Sequence, residues 1–173
     1  MKVGGKASIV RNSKAITLKS GEDSITLTLT AVPLGWRERV QKIKAFALPE
    51  PPREPVKGAN GKILRGDDGL AIVAAKENDP DYLAKLAEIG GRLRALKVFE
   101  TLRFDPNVSF ESKEPTTEDD AEWAAFCDSL ISEFRSFGLT GEELAFIDEV
   151  GNTLSSRIDM EELRKSFLPD QAE

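Results

Sequence analysis

From Ala15 onward the chain alternates between apolar and polar residues. Ala15-Ile16-Thr17-Leu18-Lys19 and Ser24-Ile25-Thr26-Leu27-Thr28-Leu29-Thr30 place an aliphatic side chain at every second position, the pattern of strands with one buried face. Ser20-Gly21-Glu22-Asp23 between them supplies turn residues, so a β-hairpin is the expected connection. A lone hairpin is marginal in water, so its apolar face must meet a helix, further strands or another chain. After Pro33 the period changes. Trp36, Val40, Ile43 and Phe46/Ala47 recur at helical spacing, which predicts a short helix over 35–46. Its other face carries Arg37, Arg39, Lys42 and Lys44, either a solvated exterior or a surface for an acidic partner.

Four prolines between Pro49 and Pro55 predict an extended, stiff connector. Residues 57–79 then read as an exposed insertion. Lys62-Ile63-Leu64-Arg65 can pair with Leu70-Ala71-Ile72-Val73-Ala74 around Gly66-Asp67-Asp68-Gly69. The Asp pair lacks the ligand spacing of a calcium loop, so a plain turn is expected there.

The second half is helical by its punctuation. Asp79-Pro80 is an N-cap with proline at the first helical position, and a helix is expected from there to about Leu102 or Arg103. Leu83, Leu86, Ile89, Leu93 and Leu96 share one face. Gly90-Gly91 in its middle weakens it, and close helix–helix approach is the expected reason. Thr117 with Asp120 resembles a capping box for the next helix, whose inward face is Trp123, Phe126/Cys127, Leu130, Ile131, Phe134 and Phe137. Gly138-Leu139 fits a glycine C-cap. Thr140 with Glu143 forms a second capping box, opening a helix with Leu144, Ile147, Val150/Gly151 and Leu154 inward. Asp159 with Glu162 is expected to cap a last helix bearing Met160, Leu163 and Phe167, stopped by Pro169. Short helices on short connections predict a small bundle. The expected fold class is α+β, an N-terminal β-hairpin region followed by a mostly α-helical small bundle. Its parts are 1–48 (hairpin and basic helix), 49–79 (proline-rich linker and hairpin-like insertion), 80–168 (helical domain) and 169–173 (tail).

Composition narrows the chemistry. The 173 residues include no histidine and a single cysteine, Cys127, which excludes Cys/His zinc sites, Ser-His and Cys-His nucleophile pairs and any intrachain disulfide. Cys127 lies on an apolar stripe and reads as a small core residue. The acids Asp119, Asp120 and Glu122 stand where a helix dipole favours them, a sufficient reason for their presence without a metal. No catalytic, cofactor-binding or metal-binding residue is expected, and the chain is expected not to be an enzyme. No apolar run approaches the roughly 20 residues of a membrane span. Met1-Lys2-Val3-Gly4-Gly5-Lys6 lacks the apolar core of a signal peptide, so a cytoplasmic protein without membrane contact is expected.

The net charge of −6 conceals a polarity. Residues 1–60 hold 11 Lys/Arg against 5 Asp/Glu, 61–104 hold 8 against 7, and 105–173 hold 5 against 18. Opposite signs at the two ends suit either internal complementarity or surfaces for different partners. Nucleic acid is not an expected partner, because no aromatic-interleaved basic patch or recognition motif accompanies the positive segment.

The run from Glu122-Trp123 through Phe134, then Gly138-Leu139-Thr140 with Glu143, Asn152 and Leu154, then Glu161-Glu162-Leu163 to Phe167-Leu168, resembles the tail assembly chaperones of long-tailed bacteriophages. The middle is similar too: a proline cluster, a glycine turn with acids, and Asn78-Asp79-Pro80-Asp81-Tyr82 opening a helix with Arg92 and Arg94. The resemblance is one of layout and spacing over most of 33–168. It implies a non-enzymatic protein of the host cytoplasm, without cofactors, that binds the phage tape-measure protein and recruits tail-tube subunits during tail morphogenesis. A structural virion component (neck, head-completion or tail protein) is the alternative. Trp36 and Trp123 are the candidate partner-binding residues, since interface hot spots are rich in Trp. Their places on apolar stripes favour core roles instead.

Overall fold

The computed structural model describes residues 12–20, 23–33 and 35–155, an α+β fold of two small antiparallel sheets and four α-helices. Strands β1 (Ser13–Ser20) and β2 (Asp23–Thr30) pair from Ser13↔Thr30 to Ser20↔Asp23. Alternation does here what the pattern predicts. Ile16, Leu27 and Leu29 enter the core, while Thr17 and Thr26 face each other on the exposed side with hydroxyls 3.4 Å apart.

Helix α1 (Trp36–Lys42) is shorter than the apolar spacing predicts. At Ile43 the backbone becomes extended (φ −90°, ψ 110°), and Lys44–Phe46 form a 3-10 turn. The break lets Val40, Ile43 and Phe46 all reach the core. The Ala45 N–H donates to Asp120 Oδ1 at 3.0 Å, so a donor freed from helix continuation is satisfied by a neighbouring element.

The proline-rich stretch does not stay a plain connector. Its end forms β3 (Arg53–Pro55), which pairs with β4 (Val73–Ala75) from Arg53↔Ala75 to Pro55↔Val73. Between them lie two tight hairpins, bridged at Lys57↔Ile63 and Arg65↔Ala71. The predicted pairing around Gly66–Gly69 is the second of these. The three ribbons meet in a closed ring of main-chain bonds: Val56 N–H donates to Ile72 O, Ile72 N–H to Leu64 O, and Leu64 N–H to Val56 O, each at 2.8–2.9 Å. Both hairpin turns use glycine at positive φ, Gly61 (75°) and Gly69 (78°), where a side chain would strain the backbone. Asn60 Oδ1 accepts from Lys62 N–H and Asp68 Oδ1 from Leu70 N–H, Asx bonds that hold each turn.

Helix α2 (Pro80–Leu102) starts as its punctuation predicts, with the Asp79 carboxylate accepting from the N–H groups of Asp81 and Tyr82. Its two halves differ. From Ala95 to Leu102 it is the spine of the core, whereas none of residues 80–94 is buried. Of the face shared by Leu83, Leu86, Ile89, Leu93 and Leu96, Leu83 is exposed, Leu86, Ile89 and Leu93 are half-buried and Leu96 is fully buried. Periodicity defines a stripe, and here only its C-terminal end is fully covered. The expected reason for Gly90-Gly91 is corrected, because a Cβ built at either would meet nothing within 4 Å. Close helix approach occurs instead at Gly151, whose Cβ would stand 2.7 Å from the buried Thr101 Oγ1. Replacing Gly90 and Gly91 by alanine is expected to stabilise the protein by up to about 1 kcal/mol per site. Thermal melts check this, and a loss of stability would mean that something occupies the space beside them.

Helices α3 (Asp120–Ser136) and α4 (Gly141–Ser155) complete the body. The cap of α3 is Asp119, whose carboxylate accepts from Ala121 and Glu122 N–H, and not Thr117. Thr117 instead meets the Glu122 carboxylate through its hydroxyl and the Trp123 indole through its carbonyl. At the other end Gly138 N–H donates to Arg135 O and Leu139 N–H to Phe134 O, the paired bonds of a Schellman stop. Thr140 and Glu143 cap α4 reciprocally, as predicted, and these bonds hold the Glu143 carboxyl below its ordinary value of 4.5. The last predicted helix, 159–167, lies outside the described residues.

One core joins the hairpin, the 3-10 turn, α2, α3 and α4, so the N-terminal strands and the helices bury each other's apolar faces. A charged cluster lies at its rim. Glu100, fully buried, meets both Arg39 and Arg103, and Glu114 meets the same two guanidinium groups at 3.0 and 3.3 Å. Each carboxylate is thereby shared by two cations, which offsets the desolvation of Glu100.

Candidate partner-binding surfaces

Trp123 is only 5% exposed. Its ring makes edge contacts with Phe46 (6.4 Å) and Phe126 (6.0 Å), and its indole N–H donates to Thr117 O at 2.9 Å. The side chain is core, with its polar atom satisfied. Trp36 is half-buried and packs against the same core, and its indole N–H has no acceptor among the described residues. The structure thus brings neither tryptophan to an open surface. Cys127 is fully buried, and burial pushes its thiol up to about 12, far from thiolate at neutral pH.

The acids at the start of α3 are spent on structure: Asp119 caps the helix, Asp120 takes the Ala45 N–H, and Glu122 meets Thr117. Among the described residues no group of His, Cys, Asp and Glu is placed to hold a metal ion. Nor is any described helix long and apolar enough to cross a membrane. The basic face of α1 is divided. Arg39 turns inward to Glu100 and Glu114, leaving Arg37, Lys42 and Lys44 exposed.

Two stretches stand open: the three ribbons of 53–75, which form an arm, and the first half of α2. Strands β3 and β4 touch each other and no other named element among the described residues. Ile63, Leu64, Leu70, Ile72 and Val73 on this arm, and Leu83 on α2, are 43–69% exposed. Single exposed aliphatics are ordinary, but a concentration of them on one projection marks an interaction surface. The arm is stiffened locally by its ring of main-chain bonds, and the first half of α2 is tied to α3 where Arg92 grips Asp128 through two bonds of 2.9 and 2.7 Å. That guanidinium holds the Asp128 carboxyl below its ordinary value of 3.8.

The signal that would have found the arm's architecture is an eight-residue repeat. Val56-Lys57-Gly58-Ala59-Asn60-Gly61 is followed by Leu64-Arg65-Gly66-Asp67-Asp68-Gly69, with Ile72 eight residues after Leu64. Each repeat supplies one corner aliphatic, one basic bridge residue and one glycine turn.

The whole is a mixed α+β body with a β-ribbon arm that contacts no other named element among the described residues. No protein-family model matches the chain, and neither a curated protein nor a solved structure matches it.

Proposed function

We propose that this chain is a non-enzymatic tail assembly chaperone of a long-tailed bacteriophage, acting in the host cytoplasm. It captures the tape-measure protein and recruits tail-tube subunits to it. The observation that carries the reading is the arm: a module clear of the body, with aliphatic side chains open to water, is built to be covered by another protein. The layout shared with those chaperones over the arm and the helices supports the same reading. An assembly factor must release its clients, and a surface of modest area suits reversible binding.

The test is affinity capture of the chain from cells expressing its native gene neighbourhood, read by mass spectrometry. The expected result is recovery of a very long helical protein with a small β-rich subunit, and absence of the chain from purified particles. Replacing Leu64 and Ile72 together by serine is expected to abolish that recovery while the melting of the body is unchanged. Finding the chain in assembled particles, without those partners, would overturn the reading and make it a structural virion component.

A further inference from the structure

The helical body carries a second open surface that neither the arm nor the core explains. An apolar groove of about 530 Å³ lies between the connection after α2 and the C-terminal end of α3. Leu102 and Phe134 form its floor, Val108 and Phe110 one wall, and Phe137 and Leu139 the lip. Phe137 is 57% exposed although it belongs to the predicted apolar stripe of α3. The groove runs on into a polar trough of about 560 Å³ lined by Glu111, Ser112, Asp128, Ser129, Ser132 and Glu133. Glu111, Ser132 and Glu133 line both, so the two form one channel along α3. From Asp128 to Phe137 that channel is about 14 Å long at the rise of a helix.

Two observations identify what fits it. The first is charge. Asp128 is already paired with Arg92, but neither Glu111 nor Glu133 forms an ion pair with a described lysine or arginine. The segment that carries them, 105–155, holds 13 Asp/Glu against 2 Lys/Arg, and among the described residues only Glu114, Asp128 and Asp148 of those acids form ion pairs with lysine or arginine. A field of that sign attracts basic segments and repels acidic ones. The second is the state of the backbone. The N–H groups of Glu111 and Ser112, two residues of the channel lining, already donate to the Glu133 carboxylate at 3.1 and 2.7 Å. An extended strand would find those donors taken, whereas a helix brings its own main-chain bonds and needs only side-chain pockets.

We infer that the channel is a docking site for an amphipathic basic helix of a partner protein. One aromatic or aliphatic anchor enters the groove over Leu102 and Phe134. Lysine or arginine about two turns away pairs with Glu111 and Glu133. The inference rests on the reading of this chain as a partner-binding protein, but it concerns a face separate from the arm.

The experiment uses the full chain, 15N-labelled, titrated with an alanine-rich helical peptide of about 14 residues that carries Phe and Leu at i and i+3 and two lysines about two turns on. A twin peptide has glutamate in place of the lysines. The expected result is saturable binding of the basic peptide, with amide shifts confined to 107–112 and 128–139 and affinity falling about tenfold on raising salt. The acidic twin is expected to bind at least tenfold more weakly. Phe137→Ser and Glu111→Lys, both at exposed positions, are each expected to weaken binding about tenfold without changing the melting temperature. Equal binding of the twins, shifts centred on 53–75, or wild-type affinity in Phe137→Ser would each overturn the inference. So would self-association of the free chain that Phe137→Ser abolishes, which would make a second copy the occupant. The peptide titration reads the groove and the capture experiment reads the arm's partners, so failure of one is distinguishable from failure of the other.

Discussion

Phe99→Ala is expected to cost about 3–5 kcal/mol, a large fraction of the about 5–15 kcal/mol that stabilises an ordinary domain. Phe99 is 6% exposed on α2 and packs edge-on against Phe110 at 4.9 Å and Phe126 at 5.3 Å, with the Arg103 guanidinium 5.2 Å from its ring centre. It therefore joins three parts of the body: the spine helix, the connection that walls the groove, and α3. Truncation would open a cavity where three rings now meet, and the surrounding helices are held apart by their own contacts, so collapse would recover little. Urea unfolding checks this as a lower midpoint at unchanged slope. A cost below about 1 kcal/mol would mean that the ring cluster repacks freely. Because Phe110 would lose its partner, the same variant is expected to weaken the basic-peptide binding that reads the groove.

Asp105→Ala is expected to cost about 2–3 kcal/mol through the loss of charge-assisted bonds to the main chain. Asp105 is nearly buried just beyond α2. One carboxylate oxygen accepts from the Thr28 N–H on the free side of β2, and the other accepts from Asn107 N–H at 2.8 Å. It thus satisfies one donor on the open edge of β2 and holds the connection that walls the groove. Asp105→Asn is expected to rescue little, because the amide replaces one of the two accepting oxygens with a donor. Hydrogen exchange gives the specific readout: the Thr28 amide loses protection in both variants while amides in α3 keep theirs. Unchanged protection at Thr28 would remove Asp105 from this role.

The two residues show where sequence reading works and where it stops. Phe99 could be assigned to an apolar face from its spacing on α2, since periodicity is local. Asp105 could not be recognised, since its partner Thr28 is 77 positions away and nothing near it in the chain announces a strand edge. The contest between Thr117 and Asp119 for the α3 cap is of an intermediate kind. Both have short polar side chains suited to capping, and in the fold Asp119 takes the helix N–H groups while the Thr117 carbonyl accepts from the Trp123 indole. The early end of α1 likewise depends on Asp120, which offers Ala45 a hydrogen-bond partner outside any helix.

The candidate surfaces divide in the same way. The insertion was legible as exposed, and its second hairpin as a hairpin, because Gly66–Gly69 is turn chemistry. Its closing ribbon was hidden by the prolines around Arg53–Pro55, which argue locally for a connector but are tolerated at a sheet edge. Trp36 and Trp123 were candidates because aromatic side chains serve cores and interfaces alike. Composition does not distinguish these uses; burial does. Phe137 shows the converse, a residue on a core stripe that the body leaves open.

By itself, then, the amino-acid sequence determined the local features: the hairpin, the starts of α2 and α4, the Schellman stop at Gly138, the charge polarity and the absence of histidine chemistry. Each is set by residues within a few positions of one another or by simple count. The tertiary structure alone decided which stretch of each apolar stripe is covered, which acids are used internally, and that a ring of ribbons and a groove remain open. Those outcomes depend on contacts between residues far apart in the chain, where burial of one side chain is possible only if another is placed to cover it.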